Sequence, residues 1–187
     1  MRDALRRISF GVLGTGMIAA MALGGTTVAA NAAVATAHTH ATAADFSHHH
    51  LRWPVVRRGD YGSRVRTVQY LLNAHGAGLT PDGQFGYPTE YAVKNFQRRV
   101  GLFPSGVVGN RTWEALIITV RHGSVGNAVR AVQAQLRYDY GYFYVTVDGV
   151  FGHKTDSAVR DFQHRFHLVG DGVVGPRTWN TLVKYDR

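Results

Sequence analysis

Asp82-Gly83-Gln84-Phe85-Gly86-Tyr87-Pro88-Thr89 is followed, 66 positions later, by Asp148-Gly149-Val150-Phe151-Gly152-His153-Lys154-Thr155. Working outward from this shared Asp-Gly-x-Phe-Gly-x-x-Thr string, the agreement continues on both sides. Upstream, Gly59-x-x-Gly62-x-x-Val65-Arg66-x-Val68-Gln69-x-x-Leu72 recurs as Gly123-x-x-Gly126-x-x-Val129-Arg130-x-Val132-Gln133-x-x-Leu136. Downstream, Ala92-Val93-x-x-Phe96-Gln97 matches Ala158-Val159-x-x-Phe162-Gln163, and Gly106-Val107-Val108-Gly109-x-Arg111-Thr112-Trp113-x-x-Leu116 matches Gly172-Val173-Val174-Gly175-x-Arg177-Thr178-Trp179-x-x-Leu182. Over Gly59 to Leu116, 26 of 58 positions are identical, where chance gives roughly three or four, so the chain contains a duplication. The upstream half repeats at an offset of 64; the two extra residues fall in the loop Asp139 to Val147.

Each copy divides into three helical stretches. Val65, Val68, Leu71 and Leu72 recur at helical spacing, as do Val129, Val132 and Leu136. A second helix is expected to start near Pro88 or Lys154, capped by Gly86 or Gly152, and to turn Ala92, Val93 and Phe96 (Ala158, Val159 and Phe162) inward. A third is marked by Gly175-Pro176, since proline is accommodated at the first helical position, with Trp179 and Leu182 following. No segment shows strand alternation. The expected fold class is all-α: two tandem three-helix modules, each of a size that folds around its own small core.

These three motifs, in order and twice, resemble the peptidoglycan-binding-like domain family, whose members are three-helix modules attached to cell-wall hydrolases. The resemblance covers Gly59 to Leu116 and Gly123 to Leu182. It implies one module over residues 53–120, a second over 121–187, and bacterial peptidoglycan as the partner. The copies depart from each other after their first helix. Copy one reads Ala74-His75-Gly76-Ala77-Gly78-Leu79 where copy two reads Tyr138-x-Tyr140-Gly141-Tyr142-Phe143-Tyr144, which is closer to the family pattern.

The first fifty residues have a different composition. Arg2, Arg6 and Arg7 precede an uncharged stretch from Ile8 to Ala30, which ends in small residues with cleavage-type sites at Ala32, Ala35 or Ala37. This is the pattern of a secretory signal peptide over residues 1–37, an uncleaved membrane anchor being the other reading. Its removal takes away three arginines and one aspartate, so the formal charge falls from +9 to +7. A cationic exported protein suits phosphate- or carboxylate-rich surfaces, including anionic wall polymers, while export argues against nucleic acid. The chain has no cysteine, which excludes disulfides, thiol nucleophiles and thiolate metal sites. Residues 38–52 form an Ala/His-rich linker whose His38, His40 and His48 to His50 have only Asp45 nearby, so no metal site is expected.

Several recurring residues are candidates for ligand contact. Asp82 and Asp148 accept backbone N–H bonds in their own turns or face a ligand. Arg111 and Arg177 lie where helices begin, a position the macrodipole disfavours for a cation, which points to an internal acid or to a carboxylate of a peptide stem. Gln97 and Gln163 bond a neighbouring loop or a glycan amide. Tyr142 and Tyr144 belong to an aromatic loop expected to leave a ring open for sugar. Phe96, Phe162, Trp113 and Trp179 are read as core. Catalysis finds little support: the only glutamates, Glu90 and Glu114, have no counterparts in copy two, and no His-Glu-x-x-His string occurs. The sequence therefore reads as a secreted, non-catalytic, wall-associated peptidoglycan binder without cofactor. The alternatives are a minimal wall hydrolase and a structural or inhibitory partner of another wall protein.

Overall fold

A computed structural model describes residues 51–185; the signal-peptide region and almost all of the linker lie outside the described residues. Six helices follow in order: α1 (Ser63–Ala74), α2 (Tyr87–Arg99), α3 (Asn110–Leu116), α4 (Asn127–Tyr138), α5 (His153–Arg165) and α6 (Pro176–Lys184). The described residues contain no strand, only isolated bridges, so the all-α class holds. Every helix starts after a glycine: Gly62, Gly86, Gly109, Gly126, Gly152 and Gly175. Pro88 lies in the first turn of α2, and Pro176 opens α6, where its missing N–H leaves no helical bond unmade.

The repeat builds two matching cores. In copy one Val65, Val68, Leu72, Phe85, Val93, Phe96, Val108, Trp113 and Leu116 are buried; in copy two Val129, Val132, Leu136, Phe151, Val159, Phe162, Val174, Trp179 and Leu182 are buried. Phe96, Phe162, Trp113 and Trp179 are thus core, as their spacing predicts. Each tryptophan also satisfies its indole N–H: Trp113 Nε1 donates to the Pro54 carbonyl at 2.8 Å, and Trp179 Nε1 to the Ile118 carbonyl at 2.9 Å. The segment before each first helix is bound to the turn before the third by a bridge, Val56 to Val108 and Val120 to Val174. Trp53 stacks on Trp113 with ring centroids 5.4 Å apart.

The copies are joined in one compact unit through α1 and α4, whose contact is the most extensive between any two helices. Small side chains permit the approach: Ala128, Ala131 and Ala134 of α4 are all buried. Across the seam the Thr67 hydroxyl lies 2.8 Å from the Gln135 amide oxygen, and the amide nitrogen donates to Asp139 Oδ2 (2.8 Å) and the Leu182 carbonyl (3.1 Å). The residues at the matching positions, Ala131 and Leu71, are both buried and apolar. Arg64 of α1 reaches the end of α6, donating to the carbonyls of Val183 (2.7 Å) and Lys184 (3.2 Å), where a cation suits the helix C-terminus.

Candidate ligand-binding site

The surface loops are set by one device used four times. Gln69 lies buried on α1, and its amide nitrogen donates to Asp82 Oδ1 (2.7 Å), the Gln84 carbonyl (3.1 Å) and Thr89 Oγ1 (3.2 Å). Its amide oxygen accepts the Gly83 N–H at 2.8 Å. Gln133 does the same to Asp148, Val150, Thr155 and Gly149. Gln97 repeats it with Ser105, Val107, Thr112 and Gly106, and Gln163 with Asp171, Val173, Thr178 and Gly172. Each glutamine makes four bonds and is only 1% exposed. Gly83 has a φ of +77°, and a Cβ there would stand 3.0 Å from the Gly62 carbonyl oxygen, so the turn requires glycine.

This device locates four of the sequence candidates. Gln97 and Gln163 are spent inside the fold, where a ligand reaches neither amide. Asp82 and Asp148 hold their turns: Oδ1 also accepts the N–H of Gln84 (2.9 Å) and of Val150 (2.8 Å). These backbone bonds, with the glutamine bonds next, hold both carboxyls below the usual aspartate range. Both aspartates nevertheless stay at the surface. The underlying string, Asp/Ser-Gly-x-Phe/Val-Gly-x-x-Thr, stands in the sequence four times (82–89, 105–112, 148–155 and 171–178). Read as two different motifs per copy, it hides this half-repeat.

Arg111 and Arg177 are exposed, and no carboxylate of the described residues forms an ion pair with either. An internal acidic partner therefore does not account for their recurrence. Arg177 also stands apart from the aromatic loop: it lies in the first turn of α6, about 10 Å along the axis from Lys184 at the other end.

That far end of α6 carries an aromatic cleft. An open cleft of about 620 Å³ is lined by Tyr138 at the end of α4, Asp139, Tyr140 and Phe143 of the loop, Arg165 and Phe166 at the end of α5, and Lys184 and Tyr185 at the end of α6. Tyr140 forms its floor. Its hydroxyl lies within hydrogen-bond distance of the carbonyls of Thr181 (3.0 Å) and Leu182 (2.9 Å), and its ring meets Phe162 edge-on at 4.7 Å. Phe166 and Tyr185 stack at 5.9 Å. Arg137 braces the loop by donating to the Phe143 and Val145 carbonyls. Tyr142 is buried, and its hydroxyl donates to Asp161 Oδ2 at 2.6 Å; burial first, then Asp161, pushes the phenol upward. Tyr144, half exposed, packs edge-on against it. So the loop's accessible rings include Tyr138, Phe143 and Tyr144, while Tyr142 is an internal support. In copy one His75 takes the place of Tyr140: Nε2 lies 2.9 Å from the Leu116 carbonyl, and the ring packs on Phe96 at 4.8 Å. That copy keeps the internal bond and loses the aromatic cleft.

Among the described residues no group of three His, Cys, Asp or Glu is placed to hold a metal ion, and no helix is long and apolar enough to cross a membrane. Glu90 is bonded to Lys94 at 2.6 Å and lies 3.4 Å from Arg58. The Lys94 bond holds its carboxyl below the usual range, the opposite of what a general acid needs.

Two duplicated three-helix units with surface clefts, and side chains clamped internally, define a pair of binding modules. The chain belongs to the family described as "Putative peptidoglycan binding domain", whose model matches residues 61–116 and 125–182. Among its relatives is the N-acetylmuramoyl-L-alanine amidase CwlM of Mycobacterium tuberculosis, 34% identical over 150 residues, covering 68% of this chain and 37% of that protein. The zinc D-Ala-D-Ala carboxypeptidase of Streptomyces albus G is 35% identical over 123 residues, covering 64% and 45%. A crystal structure of a peptidoglycan-binding protein from Clostridioides difficile is 36% identical with a TM-score of 0.33, covering 34% of this chain and 40% of that one. This chain spans less than half the length of these relatives.

Proposed function

We propose that this is an exported protein that holds peptidoglycan through its two modules without cleaving it. A signal peptide over residues 1–37 and a linker over 38–52 would deliver modules 53–120 and 121–187 to the wall. The observation that carries the reading is the cleft of copy two. Tyr138, Phe143 and Tyr185 offer ring faces to sugars, and Arg165 and Lys184 offer cations to the carboxylates of peptide stems or to anionic wall polymers. Arg111 and Arg177, without an ion-pair partner among the described residues, add further contacts to acidic groups. Two weak sites on one chain raise avidity by roughly 10²–10⁴ when both engage.

The test is retention of the purified chain on sacculi, with and without their anionic polymers, beside an assay for released reducing ends and free amines. Retention without release supports the reading. Release of either product assigns a hydrolase instead, and absence of retention removes peptidoglycan as the partner.

A further inference from the structure

Copy one carries an exposed tyrosine cluster that copy two lacks. Tyr61 is 83% exposed, Tyr87 75% and Tyr91 65%. Tyr87 and Tyr91 are one turn apart on the same side of α2. The turn Arg57 to Gly62 lies against the segment that leads into α2: Tyr61 is bridged to Gln84, while Arg58 places its guanidinium 4.6 Å from the Tyr87 ring centre. Tyr61 lines an open cleft of about 570 Å³ between this turn and Asp82 to Gly86, ending at the cap of α2, next to Tyr87. The matching positions in copy two are Val125, His153 and Ser157. Since copy two folds the same way without them, these tyrosines are not required by the fold.

Resting on the peptidoglycan reading above, we propose that this face is a second site, specific for the neutral glycan backbone and not for peptide stems. The chemistry favours a hydroxyl-rich, uncharged ligand. Flat rings with large open area suit pyranose faces. The cleft's acids, Asp60 and Asp82, hold their turns by single oxygens, accepting from Arg57 N–H (2.9 Å) and Gln84 N–H (2.9 Å), and carboxylates retain further acceptor sites for sugar hydroxyls. The cations beside the cleft already face acids of this chain, Arg58 and Lys94 pairing with Glu90 and Arg66 lying by Gly83 against the charge of Asp82, so none is left over for a stem carboxylate. Arg58 over Tyr87 also fixes that ring before a ligand arrives. The two copies thereby divide the polymer: copy one takes the sugar chain, and copy two takes sugar together with acid.

The test uses the full chain, with intact sacculi as one probe, read by retention, and uncharged strands of linked N-acetylglucosamine as the other, read by calorimetry. The parent binds both. The double variant Tyr87→Ala/Tyr91→Ala, with helical circular dichroism intact, loses about tenfold or more in affinity for strands, the scale of exposing a buried aromatic face. Tyr138→Ala/Phe143→Ala changes strand affinity less and sacculus retention more. Unchanged strand affinity in the α2 variant, or a parent that binds sacculi but not strands, overturns the proposal and leaves the peptidoglycan reading standing. A parent that binds neither overturns both. If the α2 variant loses its fold, Tyr61→Ala, which lies outside the helices, is held to the same criterion. A dimer in sedimentation that these substitutions dissociate assigns the face to self-association and overturns the glycan assignment.

Discussion

The Arg64 side chain and the Val183 carbonyl, 119 positions apart, meet at 2.7 Å. This bond ties the first helix of copy one to the last helix of copy two, alongside the seam between α1 and α4. Residues 53–120 and 121–187, made separately, are expected to be helical, although the second leaves behind the Ile118 carbonyl that accepts the Trp179 indole N–H and the Val120 bridge to Val174, both carried by the first. Each is also expected to melt below the intact chain, with a loss of about 2 kcal/mol or more from re-exposing one or two apolar side chains. Thermal denaturation of both fragments checks this. Fragments that melt with the parent would show that the seam contributes nothing.

The glutamine clamps predict a second stability effect. Gln133→Leu keeps the volume but strands the buried Gly149 N–H, while the Val150 carbonyl still accepts the Gly152 N–H. With an unsatisfied buried group costing about 1–3 kcal/mol, a loss of that size in urea denaturation is expected. A loss below about 0.5 kcal/mol would mean that water replaces the amide at little cost.

Acid should weaken the same turns. Asp82 and Asp148 have folded-state values below the ordinary 3.8, so their stabilisation is present above that value and is lost as pH falls through the lower folded value. Melting temperature is therefore expected to fall below about pH 4. Asp148→Asn, which keeps an acceptor oxygen and removes the titrating charge, should flatten part of that decline. An identical acid limb in the variant would remove Asp148 as a contributor.

Arg177→Lys separates recognition from attraction. The guanidinium has no ion-pair partner within the described residues, so stability should stay within about 0.5 kcal/mol of the parent. If its fork engages carboxylates of the wall, affinity for sacculi at matched salt should drop about tenfold. Equal retention would take Arg177 out of the binding surface.

The sequence by itself determined the duplication, the six helices, the glycine starts of α2, α5 and α6, and the identity of most core residues. These follow from local rules, since helical periodicity, glycine turns and a proline in the first turn act within a few residues. It left open which face of α1 meets α4, because an apolar or small side chain shows that something is buried and not against what. The Ala-rich run of α4 marks a helix covered on more than one side, yet Thr67 as the partner of Gln135 is visible only in three dimensions. Gln97 was ambiguous for the same reason: a polar side chain after a core phenylalanine serves a loop or a ligand equally well in one dimension, and its four internal bonds are made only when α2 and the turn before α3 come together. The cleft of copy two was the least legible part. Tyr140, Phe166 and Tyr185 come from three separate segments, and folding alone brings the loop and the ends of α5 and α6 to one place.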